Sequence, residues 1–410
     1  MIKISGWFGG SSLVVWILAV VFATPATAAD IDKPVDLLSP AQTDAQSNLD
    51  IAPYIQQLTP TTVTVKWQTR VPPQSRCMLR KMGENTWVGH NPVAVPVMHE
   101  VRIDNLTPDA HYEFYADIGP GLSRQTPSQL LSFRTPPTQS DSVIFAVYGD
   151  TRSQPLKHEK VIAAMTEKFA DRIELLIHTG DIVGNGLHFD SWAREFFTPA
   201  RRILSWVPVY PVLGNHENNS LYYFDFFNLP GNERWYSFDR GPVHIIFLDS
   251  YFSDFAPGSK QYQWLRNDLA NCRSPWKIVA LHTPFFTSGP HGKLKEDGTP
   301  GEREIAGMQT HIQPILDEYD VTMVFSGHDH FYERSTNGNI HYVIAGGGGA
   351  PLYGATDDPR QNPYSRKLVS QHHYCIVEAT KNEFTMRAYN LDGMVFDEVT
   401  LTATPTGAGR

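Results

Sequence analysis

At 410 residues the chain exceeds one ordinary domain, so two or three are expected. Hydrophobic residues at 41% and charged residues at 19% exclude wholesale disorder, a coiled coil and a multi-span membrane protein, while 30 Gly and 30 Pro predict many turns. The formal charge of -9 comes without any Lys/Arg block, which argues against a nucleic-acid partner.

Residues 1–29 carry one charged side chain, Lys3, an uninterrupted apolar run from Leu13 to Ala23 and a small-residue cleavage pattern at Ala26-Thr27-Ala28. This predicts a signal peptide and a secreted or periplasmic protein. The run is about half the ~20 residues a spanning helix needs, so no stable membrane span is expected after cleavage. Residues 30–49, with Pro34 and Pro40 in a polar mixture, read as a linker. Cys77, Cys272 and Cys375 allow at most one disulfide and show no paired spacing, so they are read chiefly as small buried hydrophobes.

From 50 to 136 short β-rich runs alternate with turn clusters, predicting strands at Thr62 to Thr69, Arg76 to Arg80, His99 to Ile103 and Tyr112 to Ile118. Val63, Val65 and Trp67 alternate with Thr64, Lys66 and Gln68, which predicts a sheet with one wet face. Leu106-Thr107-Pro108 followed by Tyr112 resembles the strand corner of a fibronectin type III domain, in which a tyrosine hydroxyl bonds back to the backbone. The expected fold is therefore multidomain: an all-β fibronectin III-like sandwich over 50–136, then an α/β domain over 140–404.

In that second segment buried-strand runs appear at Val143 to Tyr148, Leu175 to Thr179, Val207 to Val212, His244 to Leu248, Ile278 to Leu281 and Val321 to Phe325. Helical stripes fall between them at Lys160 to Phe169 and Phe189 to Phe197, and more strands follow from Tyr374 to Leu401. Five of these strands run into metal-ligand residue types: Gly149-Asp150-Thr151-Arg152, Gly180-Asp181, Gly214-Asn215-His216-Glu217, Leu281-His282 and Gly327-His328-Asp329-His330. Functional loops of layered α/β sheets gather at the carboxyl ends of strands, so the five tips are expected to converge. Carboxylate, amide and imidazole donors without a nearby thiolate suit Zn, Mn, Fe or Ni, and a carboxylate such as Asp181 can bridge two ions.

This order of motifs resembles the calcineurin-like metallophosphoesterases, and Tyr332-Glu333-Arg334 after Gly327-His328-Asp329-His330 is similar to the purple acid phosphatase group. The resemblance implies an α/β domain of two β-sheets flanked by helices. It implies two divalent or trivalent metal ions, one held by Asp150, Asp181 and His330, the other by Asp181, Asn215, His282 and His328. It further implies a phosphatase acting on a small phosphorylated substrate by attack of a metal-bound hydroxide. His216, next to Asn215, and His291, nine residues after His282, become candidate proton donors, with His291 also on the substrate side. Glu217, Glu333 and Arg334 are expected to orient ligands.

Two positions depart from the family. Arg152 stands where many members have a histidine ligand, and Gly184 where purple acid phosphatases have the tyrosine that colours them. Arginine cannot coordinate, so the first site would be weaker, or completed by water or by His158, Asn185 or His188; Arg152 could instead clamp a phosphate oxygen or pair with a carboxylate. The motifs leave a phosphodiesterase, or a non-catalytic phosphate-binding or surface-interaction protein, as alternatives.

Overall fold

The computed structural model describes residues 49–70, 75–92, 98–118 and 128–403; the expected signal peptide and all of the linker except Leu49 lie outside the described residues. Seven short strands come first: β1 (Leu49–Gln56), β2 (Val63–Thr69), β3 (Ser75–Lys81), β4 (Val88–His90), β5 (Met98–Ile103), β6 (His111–Ile118) and β7 (Leu131–Arg134). They form two antiparallel sheets, ordered β1-β2-β5 and β4-β3-β6-β7. Val63, Val65, Trp67, Val101 and Ile103 of one sheet share a core with Cys77, Leu79, Phe114, Ala116 and Phe133 of the other. At the corner before β6, the Thr107 N–H donates to the Tyr112 hydroxyl at 2.8 Å.

The expected wet face of β2 is not wet. All seven β2 residues are buried, because the outer face of this sheet lies against the rest of the chain. Tyr54 donates to Phe226 O at 2.8 Å, and the Lys66 ammonium, which lies within 3.2 Å of Glu100, also donates to Asp225 O at 2.6 Å and to Asn228. Alternation of polar and apolar residues marks two faces but does not say that the polar one meets water.

Thirteen further strands follow among the described residues: β8 (Ser142–Tyr148), β9 (Leu175–His178), β10 (Val209–Pro211), β11 (Tyr236–Arg240), β12 (Val243–Phe247), β13 (Trp276–Ala280), β14 (Met323–Ser326), β15 (Tyr332–Asn337), β16 (Ile340–Ala345), β17 (Ser365–Val369), β18 (His373–Thr380), β19 (Glu383–Asn390) and β20 (Val395–Thr402). They build a six-stranded sheet, β10-β9-β8-β18-β19-β20, and a seven-stranded sheet, β11-β12-β13-β14-β16-β15-β17. The pairs β8/β9, β9/β10, β12/β13 and β13/β14 are parallel, and strands covered on both faces read as continuous apolar runs.

Period-two alternation sorts the seven-stranded sheet between two cores. Ile245, Phe247, Ile278, Ala280, Met323 and Phe325 face the core shared with the six-stranded sheet. Ile246, Val279 and Val324 face the opposite way, toward Leu265 and Leu269 of the helix Lys260–Asn271 and toward Met308, Ile312 and Leu316. The helix Pro155–Phe169 has proline at its start, where no intrahelical N–H is needed, and packs Val161, Ile162, Met165 and Phe169 into the shared core. The helix begun at Phe189–Ser191 widens into π-type turns over Trp192–Phe197 before continuing as Thr198–Leu204. Cys77 and Cys375 are buried, Cys272 is partly so, and all three thiols are free.

Candidate metal centre

Asp150, Asp181 and Asn215 follow β8, β9 and β10, whereas His282, His328 and His330 follow β13 and β14, so the donors come from the carboxyl ends of strands in both large sheets. Three of these residues hold a left-handed backbone: Asp150 (φ 56°), Asp181 (φ 51°) and His328 (φ 73°). Such conformations cost about 1–3 kcal/mol each and persist where the surroundings over-determine them. Here Asp150 N–H donates to Gly180 O at 3.0 Å, Thr151 N–H to Asp181 O at 3.1 Å, and His328 N–H to the Asp150 carboxylate at 3.1 Å. Gly180, at φ 90°, has no room for a side chain: a Cβ there would lie 2.7 Å from His282 Nδ1.

One set of donors gathers closely. Ligand atoms of Asp150, Asp181 and His330 all lie within 4.8 Å of one another, and all three residues are buried. His330 donates Nδ1–H to Pro351 O at 2.7 Å, which leaves its Nε2 facing Asp150 Oδ1 at 3.7 Å. Arg152 reaches the same place: its Nε–H donates to Asp181 Oδ2 at 3.3 Å and its Nη2 lies 3.4 Å from His330 Nε2. Burial, and then the neighbouring Asp181, push the Asp150 carboxyl well above the usual range. Burial resists ionisation of Asp181 too, but His282, His216, His328 and Arg152 outweigh it and hold that carboxyl low. Burial, reinforced by Arg152, lowers His330 to about 3.

Beside this group His282 donates Nδ1–H to Thr179 O at 2.7 Å, turning Nε2 toward Asn215 Oδ1 at 3.2 Å and Asp181 Oδ1 at 3.3 Å. Burial lowers His282 to about 4. The His328 ring stands 5.0 Å from that of His282, yet its Nε2 faces Tyr251 Oη and Glu302 Oε2, each at 3.1 Å. Of the four donors expected for a second ion, the structure thus brings Asp181, Asn215 and His282 together and turns the fourth toward Glu302. Two buried carboxylates facing three imidazole or amide donors, with no thiolate among them, fit a cation of borderline hardness.

His216 and His291 flank the donors differently. His216 donates its backbone N–H to Asp181 Oδ1 at 3.1 Å and Nδ1–H to Gly184 O at 2.8 Å; Nε2 lies 3.8 Å from Asp181 Oδ2. His291 donates Nδ1–H to Glu302 Oε1 at 2.6 Å, and its ring centroid is 3.7 Å from that of His328. Burial opposes protonation of His291, but the hydrogen bond and charge of Glu302 prevail and raise it, while Glu302 falls to about 2 against its own burial. His291, Glu302 and His328 form a second close group of donors. Glu302 carried no sequence signal: it ends a Gly-rich turn segment and belongs to no apolar period.

The Glu217 carboxylate accepts N–H groups from Gly214 (2.7 Å), Ile182 (2.8 Å), Asp181 (3.0 Å) and Val183 (3.3 Å), so one side chain ties two donor loops together. Burial, with Asp181 alongside, raises it to about 8. Glu333 holds the His291 loop through Ser288 N–H at 2.8 Å, and Asp329 accepts from Thr287 Oγ1 in the same loop. Arg334 pairs with Asp397, away from the donors. His158 is packed between Tyr148 and Phe196 with Nδ1–H on Glu195 O, Asn185 Oδ1 is taken by Leu187 N–H, and His188 is exposed ahead of the helix at Phe189. None of these three faces the Asp150 group, whereas Gly184 N–H is bound by Glu195 at 2.7 Å.

The calcineurin-like phosphoesterase family matches residues 144–332. The chain is 31% identical over 255 residues to "Probable purple acid phosphatase 20" of Arabidopsis thaliana, covering 58% of this chain and 55% of that one. It is 28% identical over 284 residues to a purple acid phosphatase of Glycine max, covering 62% and 56%. The chain therefore spans about half the length of the curated relatives it matches. The structure of a purple acid phosphatase from yellow lupin seeds superposes with a TM-score of 0.72 at 18% identity, covering 85% of this chain and 74% of that one.

Proposed function

Starting from residues 144–332 as a calcineurin-like phosphoesterase domain of the purple acid phosphatase type, we propose that the protein is an exported, metal-dependent phosphatase hydrolysing small phosphomonoesters. The observation that carries this reading is the gathering of Asp150, Asp181 and His330 within 4.8 Å, next to Asn215 and His282. Asp150, Asp181 and His330 would hold one ion of Zn, Mn, Fe or Ni once Arg152 gives up its bonds to Asp181 and His330. Asp181, Asn215, His282 and His328 would hold the other, His328 exchanging its Glu302 partner for the ion. When bound, such cations balance charge on the phosphoryl oxygens and make water a competent nucleophile near neutral pH.

The chain's own residues supply the rest. Arg152, now bonded to Asp181 and His330, would on release from them offer a planar fork suited to a phosphate oxygen. Hydrolysis joins a water oxygen to phosphorus and breaks the bond to the alcohol oxygen, which must take up a proton. His291 suits that transfer, because Glu302 fixes Nδ1–H and leaves Nε2 for the leaving oxygen; His216, tied to Gly184 O, serves the same end beside Asp181. We read residues 50–136 as the fibronectin III-like sandwich and 140–404 as the catalytic domain, a reading supported by the two small sheets and the Thr107–Tyr112 bond. Export is supported by the apolar run Leu13 to Ala23 and its cleavage pattern.

The test is turnover of para-nitrophenyl phosphate and bis-para-nitrophenyl phosphate by protein reloaded with each metal, with Asp181→Ala as control. Faster monoester turnover, lost in Asp181→Ala, is expected. Faster diester turnover would make it a phosphodiesterase, and binding of phosphate without turnover would make it a non-catalytic phosphate-binding protein.

A further inference from the structure

Arg152 makes the two halves of the donor set unequal. Its Nε–H bonds Asp181 Oδ2 at 3.3 Å and its Nη2 lies 3.4 Å from His330 Nε2. His330 Nδ1–H is already spent on Pro351 O, so its only lone pair in the plane of the ring is the one turned to the guanidinium. An ion at Asp150–Asp181–His330 needs that same lone pair. Guanidinium has five N–H donors, no acceptor and a permanent charge, so it can neither share the ion nor be neutralised to make way for it. The side chain is 16% exposed and sits over two carboxylates and an imidazole that are almost wholly buried, where charge acts at lower dielectric than in water.

Asn215 and His282 are free of this competition. His282 Nε2 faces Asn215 Oδ1 and the other oxygen of Asp181, Oδ1, at 3.2 and 3.3 Å, and neither residue bonds Arg152. No other arginine or lysine pairs with the Asp150 group among the described residues, and Gly184, His158 and His188 bring it no additional donor.

We infer that Arg152 is the resident cation of the Asp150–Asp181–His330 group, so that the protein holds one metal ion tightly, around Asp181–Asn215–His282, and takes a second only by displacing Arg152. This rests on the metal-dependent reading above. Each ligand contact the ion must win back is a charge-assisted hydrogen bond in a buried site, and losing one such bond corresponds to about tenfold or more in affinity.

The experiment is metal counting by elemental analysis after chelation, reloading with Zn or Co and desalting, with calorimetric titration of the same metal-free samples. Wild type, Arg152→Gln, Arg152→Ala and Arg152→Lys are compared, each checked for native circular dichroism; the conservative Gln variant keeps the test alive if Ala fails to fold. Wild type should retain one equivalent and bind the second at least about tenfold more weakly. Arg152→Gln or Arg152→Ala should retain two, with the weak step tightened about tenfold or more, and Arg152→Lys, whose ammonium is a single-point donor that can lose its proton, should fall between them and wild type. Two tightly held equivalents in wild type, or a second step unmoved in both neutral variants, would overturn the inference and leave the metal-dependent reading standing. Failure of every protein to take up any metal would overturn both.

Discussion

Lys66→Met removes an ammonium that three acceptors share. Lys66 is 3% exposed and reaches Glu100 Oε2 at 3.2 Å, Asp225 O at 2.6 Å and Asn228 Oδ1, and Asn228 in turn donates to Glu100 Oε1 at 2.7 Å. Methionine keeps the volume but donates nothing. The Asp225 carbonyl and the Asn228 amide oxygen then lose a charged donor, at about 1–3 kcal/mol each. Glu100, at 44% exposed, rehydrates and adds little. Burial already pushes the Lys66 ammonium below its usual value, so removing the charge returns part of its desolvation cost. The net expectation is a loss of about 2–4 kcal/mol, or about 3–5 °C in thermal midpoint for a chain of this size. Urea and thermal unfolding of Lys66→Met, Glu100→Gln and the double variant would measure it, with the double variant losing less than the sum. Lys66→Met within about 0.5 kcal/mol of wild type would refute the reasoning that this ammonium binds the small sheets to Asp225 and Asn228.

His291→Asn should slow phenyl phosphate hydrolysis about 10²-fold or more while sparing 2,4-dinitrophenyl phosphate, whose leaving oxygen needs no proton; equal losses would remove His291 from the proton-transfer role. Gly214→Ala should abolish metal retention and destabilise the fold, since its Cβ would lie 2.4 Å from Asp181 N; a variant that folds and holds metal normally would contradict that packing. His244 lies between Asp268 and Asp239, each 2.8 Å away, and these bonds raise it although burial opposes them. Its stabilisation is therefore fully present below the unfolded value of about 6.5 and fades as pH rises through the folded one, so the gap between wild type and His244→Asn should be wider at pH 5.5 than at pH 9. Chelation should lower the thermal midpoint and metal return should restore it, read by calorimetry; an unchanged midpoint would count against any ion at these donors.

The large sheets were legible because strands covered on both faces leave continuous apolar runs, and the tips because glycine followed by a donor residue interrupts those runs at one end. Their meeting place follows in part from parallel order, which puts the carboxyl ends of β8, β9 and β10 on one side of one sheet and those of β13 and β14 on one side of the other. What was not legible is long-range. The Thr64, Lys66 and Gln68 face of β2 has the pattern of a solvated surface, and its cover comes from residues near 225, far along the chain. Glu302 meets His291 and His328 through a loop that no period describes. Strands β15 and β17 carry Arg334, Ser335, Arg366 and Lys367, a composition closer to turns than to buried sheet, and they form because each finds a partner edge. The widened turns at Trp192–Phe197 likewise leave no trace in a run that reads as plain helix.

The division of donors between the two large sheets has a mechanical consequence. Neither sheet owns a full set: Asp150 and Asp181 belong to one and His330 to the other, and Asn215 faces His282 across the same seam. Elsewhere the sheets meet mainly through interleaved apolar side chains, which resist separation but tolerate small slips, with polar ties where Arg334 and Tyr332 bond Asp397 and Trp276 Nε1–H donates to Thr380 O. An ion at the seam would act as a rivet at one end of a stack of plates, turning a slip of the sheets into a stretch of coordinate bonds. Amide exchange near Asp150 and near His328 should then slow together on metal loading, while the far ends of the same strands stay as they were, and the opening motion of the empty protein would be a splaying from the rivet end.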